Sequence, residues 1–100
     1  MKNSKQITLW LVENGFKLNK EGVELLAEAV LFLHENINPN ATKIYAAVGK
    51  LHNKTVNNVE RCIRHTVETD WYKTTFKKYA VRPKTYETIK LLELIYEWDD

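Results

Sequence analysis

The sequence predicts an all-α domain of five to six helices that contains a helix-turn-helix. Apolar residues recur at three- and four-residue spacing along most of the chain, as on the buried side of an amphipathic helix. Residues that typically begin or end helices separate these stretches, and no segment alternates at period two as a half-buried strand would. With 100 residues, 44% of them hydrophobic, the chain has the length of one domain, predicted over 1–100.

Two helices are predicted before Pro39. Ser4 is predicted to cap the first, which ends at Gly15, because glycine tolerates the left-handed turn that terminates many helices. The first helix carries Ile7, Trp10 and Leu11. Asn19 is predicted to cap the second, and Pro39 ends it because proline disfavours helical backbone in the residue before it. The second helix carries Val23, Leu26, Ala27, Val30, Leu31 and Leu33.

The third and fourth helices are predicted to be joined by a short polar turn. Asn40 is predicted to cap the third helix. Its apolar residues are Ile44, Tyr45, Val48 and Leu51. The polar stretch 52–55 then leads to the fourth helix, which Thr55 is predicted to cap because its hydroxyl can accept an amide hydrogen bond. The fourth helix is predicted to end at Trp71 or Lys73.

The last third of the chain predicts one further helix. The segment 74–82 fits only a short turn around Phe76 and Tyr79. Pro83 opens the last helix, with Thr85 as the predicted cap. Its apolar residues are Ile89, Leu91, Leu92, Leu94, Ile95 and Trp98. Core packing is the favoured interpretation of this broad apolar face, and a dimer face is the alternative.

Charge and composition restrict the partner and the compartment. The net charge of +2 does not by itself indicate nucleic acid, but the run 73–84 has five basic residues and no acidic one. The single cysteine excludes an internal disulfide and fits a reducing compartment. Because the sequence has neither a signal-peptide hydrophobic region nor 18 consecutive apolar residues, we expect a cytoplasmic protein with no membrane partner.

Enzymatic and metal sites are not indicated. The sequence lacks a glycine-rich phosphate loop, a nucleophile elbow and a His-Glu-x-x-His run. Cys62 and His65 lie three residues apart, but a zinc site needs about four ligands. Cys62 is interpreted as a small buried hydrophobe. We therefore expect a non-enzyme with no metal and no cofactor.

The fourth helix, predicted from Val56 to about Lys73, has two chemically different sides when residues are placed at roughly 100° intervals. The apolar side consists of Val59, Ile63, Thr66, Val67 and Asp70, with Cys62 and Trp71 at its edges. The polar side consists of Asn57, Arg61, Arg64, His65 and Glu68, with Asn58 and Glu60 at its shoulders. The apolar side is predicted to pack on the domain and the polar side to face outward.

This outward side suits the edges of base pairs. Arginine can pair with guanine, asparagine with adenine, and glutamate can accept from cytosine. A helix-turn-helix at about 41–73 would place the fourth helix in the major groove of double-stranded DNA. Lys54 and Thr55, at its N-terminus, would then lie near a phosphate. A solvent-exposed helix face without a binding function has the same periodicity. This alternative therefore stays open.

These residues also carry a resemblance to a known family. The runs at 41–45 (ATKIY), 50–55 (KLHNKT) and 59–65 (VERCIRH) resemble the C-terminal effector domain of the sporulation master response regulator of endospore-forming bacteria. The resemblance extends to 7–15 and 83–92. It implies a six-helix domain that binds short DNA boxes, often as a tandem pair.

The resemblance also implies roles for individual residues. It places base reading on Glu60, Arg61 and Arg64 and a backbone contact on His65. Further contacts to the DNA backbone or auxiliary contacts are predicted at Lys43, Lys50, Lys54, Thr55, Asn57, Asn58 and Lys73.

The sequence also departs from the family pattern, which leaves two hypotheses. The family has a receiver domain before this region, commonly a basic residue where Asn58 stands, and a segment about twice as long between Trp71 and Pro83. Met1 before the first helix favours a standalone relative over an excised domain. The first hypothesis is a sequence-specific DNA-binding regulator, as a homodimer or tandem pair; the second is a protein-interaction module that acts on a full-length sporulation regulator. The retained base-reading residues favour the first.

Overall fold

Five α-helices make up most of the computed structural model, which describes residues 3–18 and 20–99. They are α1 (Ser4–Glu13), α2 (Glu21–Glu35), α3 (Ala41–His52), α4 (Val56–Asp70) and α5 (Thr85–Ile95). Two short 3-10 helices, Trp71–Lys73 and Thr75–Lys78, follow α4. No residue in the described ranges lies in a strand, so the predicted all-α class is confirmed. None of these helices is long and apolar enough to cross a membrane.

Two of the predicted caps and one predicted stop are confirmed. The Asn40 side chain accepts a hydrogen bond from the Lys43 amide at 2.8 Å, at the start of α3. The Thr55 hydroxyl accepts one from the Asn58 amide at 3.1 Å, at the start of α4. After α1, Gly15 adopts a φ of 123°, in the region that favours glycine. The local sequence therefore defines these three helix ends.

The other predicted caps differ from the structure. Ser4 is the first residue of α1, and Asn3 caps it by accepting from the Gln6 amide at 3.1 Å. Asparagine and serine cap equally well, so the sequence does not separate these neighbours. Asn19 lies outside the described residues, and Lys20 occupies the N-cap position of α2.

The start of α5 also lies one residue earlier than predicted. Lys84 occupies its N-cap position, and Thr85 is the first helical residue. The Glu87 carboxylate accepts from the Lys84 amide at 2.9 Å, an interaction that fixes the helix start. The hydroxyl of Thr85 is therefore available to bond outside its own helix.

The core surrounds α2, which contacts α1, α3, α4 and α5. Of the predicted apolar residues of α2, four are buried, while Leu31 and Leu33 are half-buried. Leu25 and Ala29 are also buried, because neighbours on several sides cover more of α2 than one stripe. Two other predicted apolar residues, Leu51 of α3 and Leu94 of α5, are 73% and 77% exposed.

The segment after α4 is held in place by Trp71. Its indole is 3% exposed and donates a hydrogen bond to the Ala80 carbonyl at 2.8 Å. The ring centroid lies 5.8 Å from that of Phe76 and 6.3 Å from that of Phe16. The predicted short turn around Phe76 is thus a 3-10 helix that folds back onto the core.

Helices α2 and α4 approach each other closely at Gly22. A Cβ at this position would lie 1.8 Å from Thr66 Oγ1 and 2.8 Å from the Cys62 carbonyl oxygen. Helix α4 therefore packs directly against the backbone of α2 at Gly22, where any larger residue would place its side chain.

The C-terminal end of α4 is bonded to the connection between α1 and α2 through Asp70. The carboxylate accepts from the Lys17 amide at 3.1 Å and from the Lys20 ammonium at 3.2 Å. The Thr69 hydroxyl donates to it at 3.1 Å. Because Asp70 is 3% exposed, these donors replace most of its water.

Asp70→Asn should lower the free energy of unfolding near pH 7 by about 1–3 kcal/mol, since charged hydrogen bonds are lost. Burial opposes ionisation of Asp70, but the hydrogen bonds from Lys17, Lys20 and Thr69 hold its pKa below the ordinary value. The carboxylate therefore contributes stability above about pH 4, and this contribution is lost as pH falls through the lowered pKa.

Urea denaturation of both proteins from pH 7 to pH 2 would measure this difference. The gap in unfolding free energy should close at the acid end. A gap of the same size at pH 2 and pH 7 would contradict the assigned role of the carboxylate.

Candidate nucleic-acid interface

The two predicted sides of α4 are confirmed. Its buried residues are Val59, Ile63, Thr66, Val67 and Asp70. The five residues of the predicted polar side, Asn57, Arg61, Arg64, His65 and Glu68, are all exposed. Helix α4 thus packs with one side and presents two arginines, an amide, an imidazole and a carboxylate with the other.

The turn between α3 and α4 is tight and depends on Gly49. Asn53 ends α3 in the left-handed conformation, with a φ of 56°. The Lys54 amide donates to the Gly49 carbonyl at 2.8 Å, and a Cβ at Gly49 would lie 2.3 Å from the Lys54 carbonyl oxygen. The turn therefore closes against α3, and it sets where α4 begins.

One flank of α4 forms a shallow groove, here named the Arg61 groove, which is lined by Lys54, Asn58, Arg61, Cys62 and His65. The Arg61 guanidinium donates to the Asn58 side-chain oxygen at 2.7 Å. The Lys54 ammonium lies 3.2 Å from a carboxylate oxygen of Glu21 on α2. Because guanidinium has five N–H donors, the bond to Asn58 orients Arg61 and leaves donors for a ligand.

The predicted burial of Cys62 is only partly correct, since this residue is half-buried. Its Sγ lies 3.8 Å from a Glu21 carboxylate oxygen. Burial, together with the charge of Glu21, raises the pKa of the thiol. The thiol of Cys62 therefore lines the Arg61 groove as an uncharged group.

The other flank of α4 forms a deeper groove, here named the Arg64 groove. Its polar walls include Glu60, Arg64 and Glu68 of α4, Tyr45 of α3 and residues of the segment 81–86, and Val67, Trp71 and Tyr72 also line it. Burial, with the nearby charge of Glu60, raises the pKa of Tyr45 to about 12, so its phenol stays protonated near neutral pH. The groove combines hydroxyl, carboxylate and cationic groups beside the exposed side of α4.

Glu60 lies in this groove and faces α5. Its carboxylate accepts a hydrogen bond from the Thr85 hydroxyl at 2.9 Å, and the Arg64 guanidinium lies 3.6 Å from its other oxygen. The structure therefore brings Glu60 and Arg64 together and places Arg61 on the opposite flank.

Two cations of the Arg64 groove were not assigned to the site from the sequence. Arg82 and Lys84 are exposed, and both line the groove beside Arg64. Only the acid-free run 73–84 pointed to them. The chain around them is irregular, so no periodicity indicates which way their side chains face.

The remaining predicted contact residues are more dispersed. Lys43 and Lys50 are exposed on α3, and Thr55 is exposed at the start of α4. Lys73 is exposed after α4, with its ammonium 5.6 Å from the centre of the Tyr72 ring. Among the residues that the structure describes, Lys43, Lys50, Thr55 and Lys73 line neither of the two grooves.

Comparison with known protein families gives a match. The family described as "Sporulation initiation factor Spo0A C terminal" matches residues 7–90. These residues extend from α1 into α5 and include both grooves. No individually curated protein matches the chain.

Proposed function

Because the chain belongs to the Spo0A C-terminal family, whose domains bind DNA and regulate transcription in sporulation, we propose that it is a sequence-specific regulator that binds double-stranded DNA. In this proposal the chain acts as a single domain. Helices α3 and α4 form a helix-turn-helix, and α4 enters the major groove. The supporting observation is the division of α4, whose buried side fixes the helix while its opposite side exposes Arg61 and Arg64.

Base reading is assigned to Arg61, Arg64 and Glu60. Each arginine can donate two hydrogen bonds to the major-groove edge of guanine. Glu60 is bonded to Thr85, but a carboxylate has about four acceptor sites and so retains capacity for a cytosine amino group.

Contacts to the DNA backbone are assigned to the ends and flanks of α4. Lys54 and Thr55 lie at its N-terminus, where the amides and helix dipole favour a phosphate. Arg82 and Lys84 lie beside Arg64, on the other flank. Auxiliary contacts are assigned to Lys43, Lys50, Asn57, Asn58, His65 and Lys73.

Arg61→Ala should remove about 1–3 kcal/mol of discrimination at one base-pair position, because a bidentate contact to a base edge is lost. Gel shifts with the preferred box and its single-base variants would measure the change. Lys5→Ala, in a helix that contributes nothing to either groove, serves as the control. Unaltered specificity in Arg61→Ala would remove Arg61 from the base-reading set.

Lys54→Ala should weaken binding to all sequences alike and reduce the salt slope of the binding constant by about one counterion. Glu21→Gln should have the opposite effect, since it removes the carboxylate that pairs with Lys54. Titrations of the two variants at several salt concentrations would separate these effects. Equal salt slopes in Lys54→Ala and the parent protein would exclude a phosphate contact at Lys54.

Selection of bound duplexes from a random DNA pool tests the whole proposal. A shared box should emerge, and the number of chains bound per box would show whether copies pair on DNA. If selected and random DNA bind equally, the chain instead acts through protein contact, for which a full-length sporulation regulator is the proposed partner.

A further inference from the structure

The bond between Thr85 and Glu60 joins the start of α5 to the exposed side of α4. Thr85 is 7% exposed, and its hydroxyl donates to Glu60 Oε2 at 2.9 Å. The Arg64 guanidinium lies 3.6 Å from Glu60 Oε1, on the second oxygen of the same carboxylate. A buried hydroxyl is thus connected through one carboxylate to a side chain assigned to base reading.

The Thr85 hydroxyl, which is the donor to Glu60, belongs to a helix start that hydrogen bonds hold in place. The Glu87 carboxylate accepts from the Lys84 amide at 2.9 Å, immediately before Thr85. The phenol of Tyr86 donates to the Pro39 carbonyl, immediately before α3, at 3.1 Å. Because α5 is bonded at its start in these ways, the Thr85 hydroxyl approaches Glu60 from one direction.

Stability does not explain the ion pair between Glu60 and Arg64 well. The Arg64 side chain is 51% exposed, and an exposed ion pair between residues four apart on a helix contributes only about 0.3–0.5 kcal/mol. A long arginine side chain, however, has many rotamers, and ordering it before binding reduces the entropic cost of forming the complex. The contact with an oriented Glu60 therefore affects the orientation of the Arg64 side chain more than it affects the stability of the domain.

We propose that Thr85 is a positioning residue for DNA recognition: its hydroxyl fixes the Glu60 carboxylate, which in turn orients Arg64 toward a base. This inference rests on the proposed function, in which Arg64 reads a base edge. Thr85 itself contacts no DNA in this arrangement.

The test compares Thr85→Val with Thr85→Ser. Valine keeps the shape of threonine and loses the donor, whereas serine keeps the donor. Dissociation constants are measured for the selected box and its single-base variants. Thr85→Val should reduce discrimination about 3- to 10-fold, only at the positions read by Arg64 and Glu60, and should leave the salt slope unchanged. Thr85→Ser should retain discrimination.

Thr88→Val is the matched control, since it removes a buried hydroxyl from the same helix and leaves the bonds of Glu87 and Tyr86 that hold the start of α5. It should lower stability without changing discrimination. At the position read by Arg64, the double variant Thr85→Val with Arg64→Ala should lose no more discrimination than Arg64→Ala alone, because both changes act on one contact. Thermal denaturation of each variant verifies that it is folded at the temperature of the binding assay.

The outcomes separate the inference from the function on which it rests. If Arg64→Ala alters discrimination but Thr85→Val does not, or the two effects add, the positioning role is wrong and base reading stands. If Thr85→Val weakens all sequences equally, its role is structural and the inference is wrong. If Arg64→Ala leaves discrimination intact, base reading by Arg64 and the positioning role both fail.

Discussion

Gly22→Ala should lower the free energy of unfolding by about 2–3 kcal/mol, although alanine is ordinarily the better helix former. At an exposed helical glycine the same change stabilises a protein by up to about 1 kcal/mol. Here the added methyl would meet Thr66 Oγ1 at 1.8 Å, and both Thr66 Cβ and the Cys62 carbonyl oxygen at 2.8 Å. Rotation of the Thr66 side chain can relieve only the first contact, so α4 must move away from α2.

Urea denaturation followed by circular dichroism would measure the effect, with Glu24→Ala as the control at an exposed position of α2. Adding Thr66→Ala to Gly22→Ala should restore only part of the stability, since two of the close contacts remain. An increase in stability in Gly22→Ala would show that α4 does not pack against the backbone of α2.

Trp71→Ala should destabilise the protein by about 3–5 kcal/mol, the usual loss when a large buried aromatic is truncated. The change also removes the indole N–H that bonds the Ala80 carbonyl. The segment that carries Arg82 and Lys84 would lose its hydrogen bond and ring contacts with Trp71. DNA binding should therefore weaken even at temperatures where the variant is still folded.

The adjacent Tyr72 supplies the control, because it is 63% exposed and its replacement by alanine should change stability by no more than about 0.5 kcal/mol. Trp71→Phe keeps an aromatic ring and loses the hydrogen bond, so it should cost much less than Trp71→Ala. If Trp71→Ala and Tyr72→Ala lowered the free energy of unfolding equally, the anchoring role of Trp71 would be wrong.

Helix α4 could be predicted almost completely from the sequence. Thr55 begins it with a hydroxyl acceptor, and its apolar residues keep one period for its whole length, so every residue assigned to the two sides lies where expected. Local chemistry decides both features, because a cap and a helical face depend on residues only a few positions apart.

What the sequence did not reveal depends on contacts between distant residues. The spacing placed Glu60 at a shoulder of α4 but did not show that α5 would supply Thr85 as its donor, 25 positions later. Arg82 and Lys84 line the Arg64 groove because Trp71 folds an irregular segment back onto the core. The N-cap Asn3 was missed because asparagine and serine cap a helix equally well. The N-cap Lys84 was missed because the Glu87 carboxylate satisfies its amide without a capping side chain at that position.

The anchoring of α4 at Asp70 limits how far the domain can be reduced or transplanted. The two bonds from Lys17 and Lys20 span 53 and 50 positions of the chain. A peptide of α3 and α4 alone would keep the exposed arginines but lose these donors, and its apolar side would face water without α2. A unit fit for grafting into another protein must therefore begin no later than Lys17 and include α2, because both contribute contacts that hold α4.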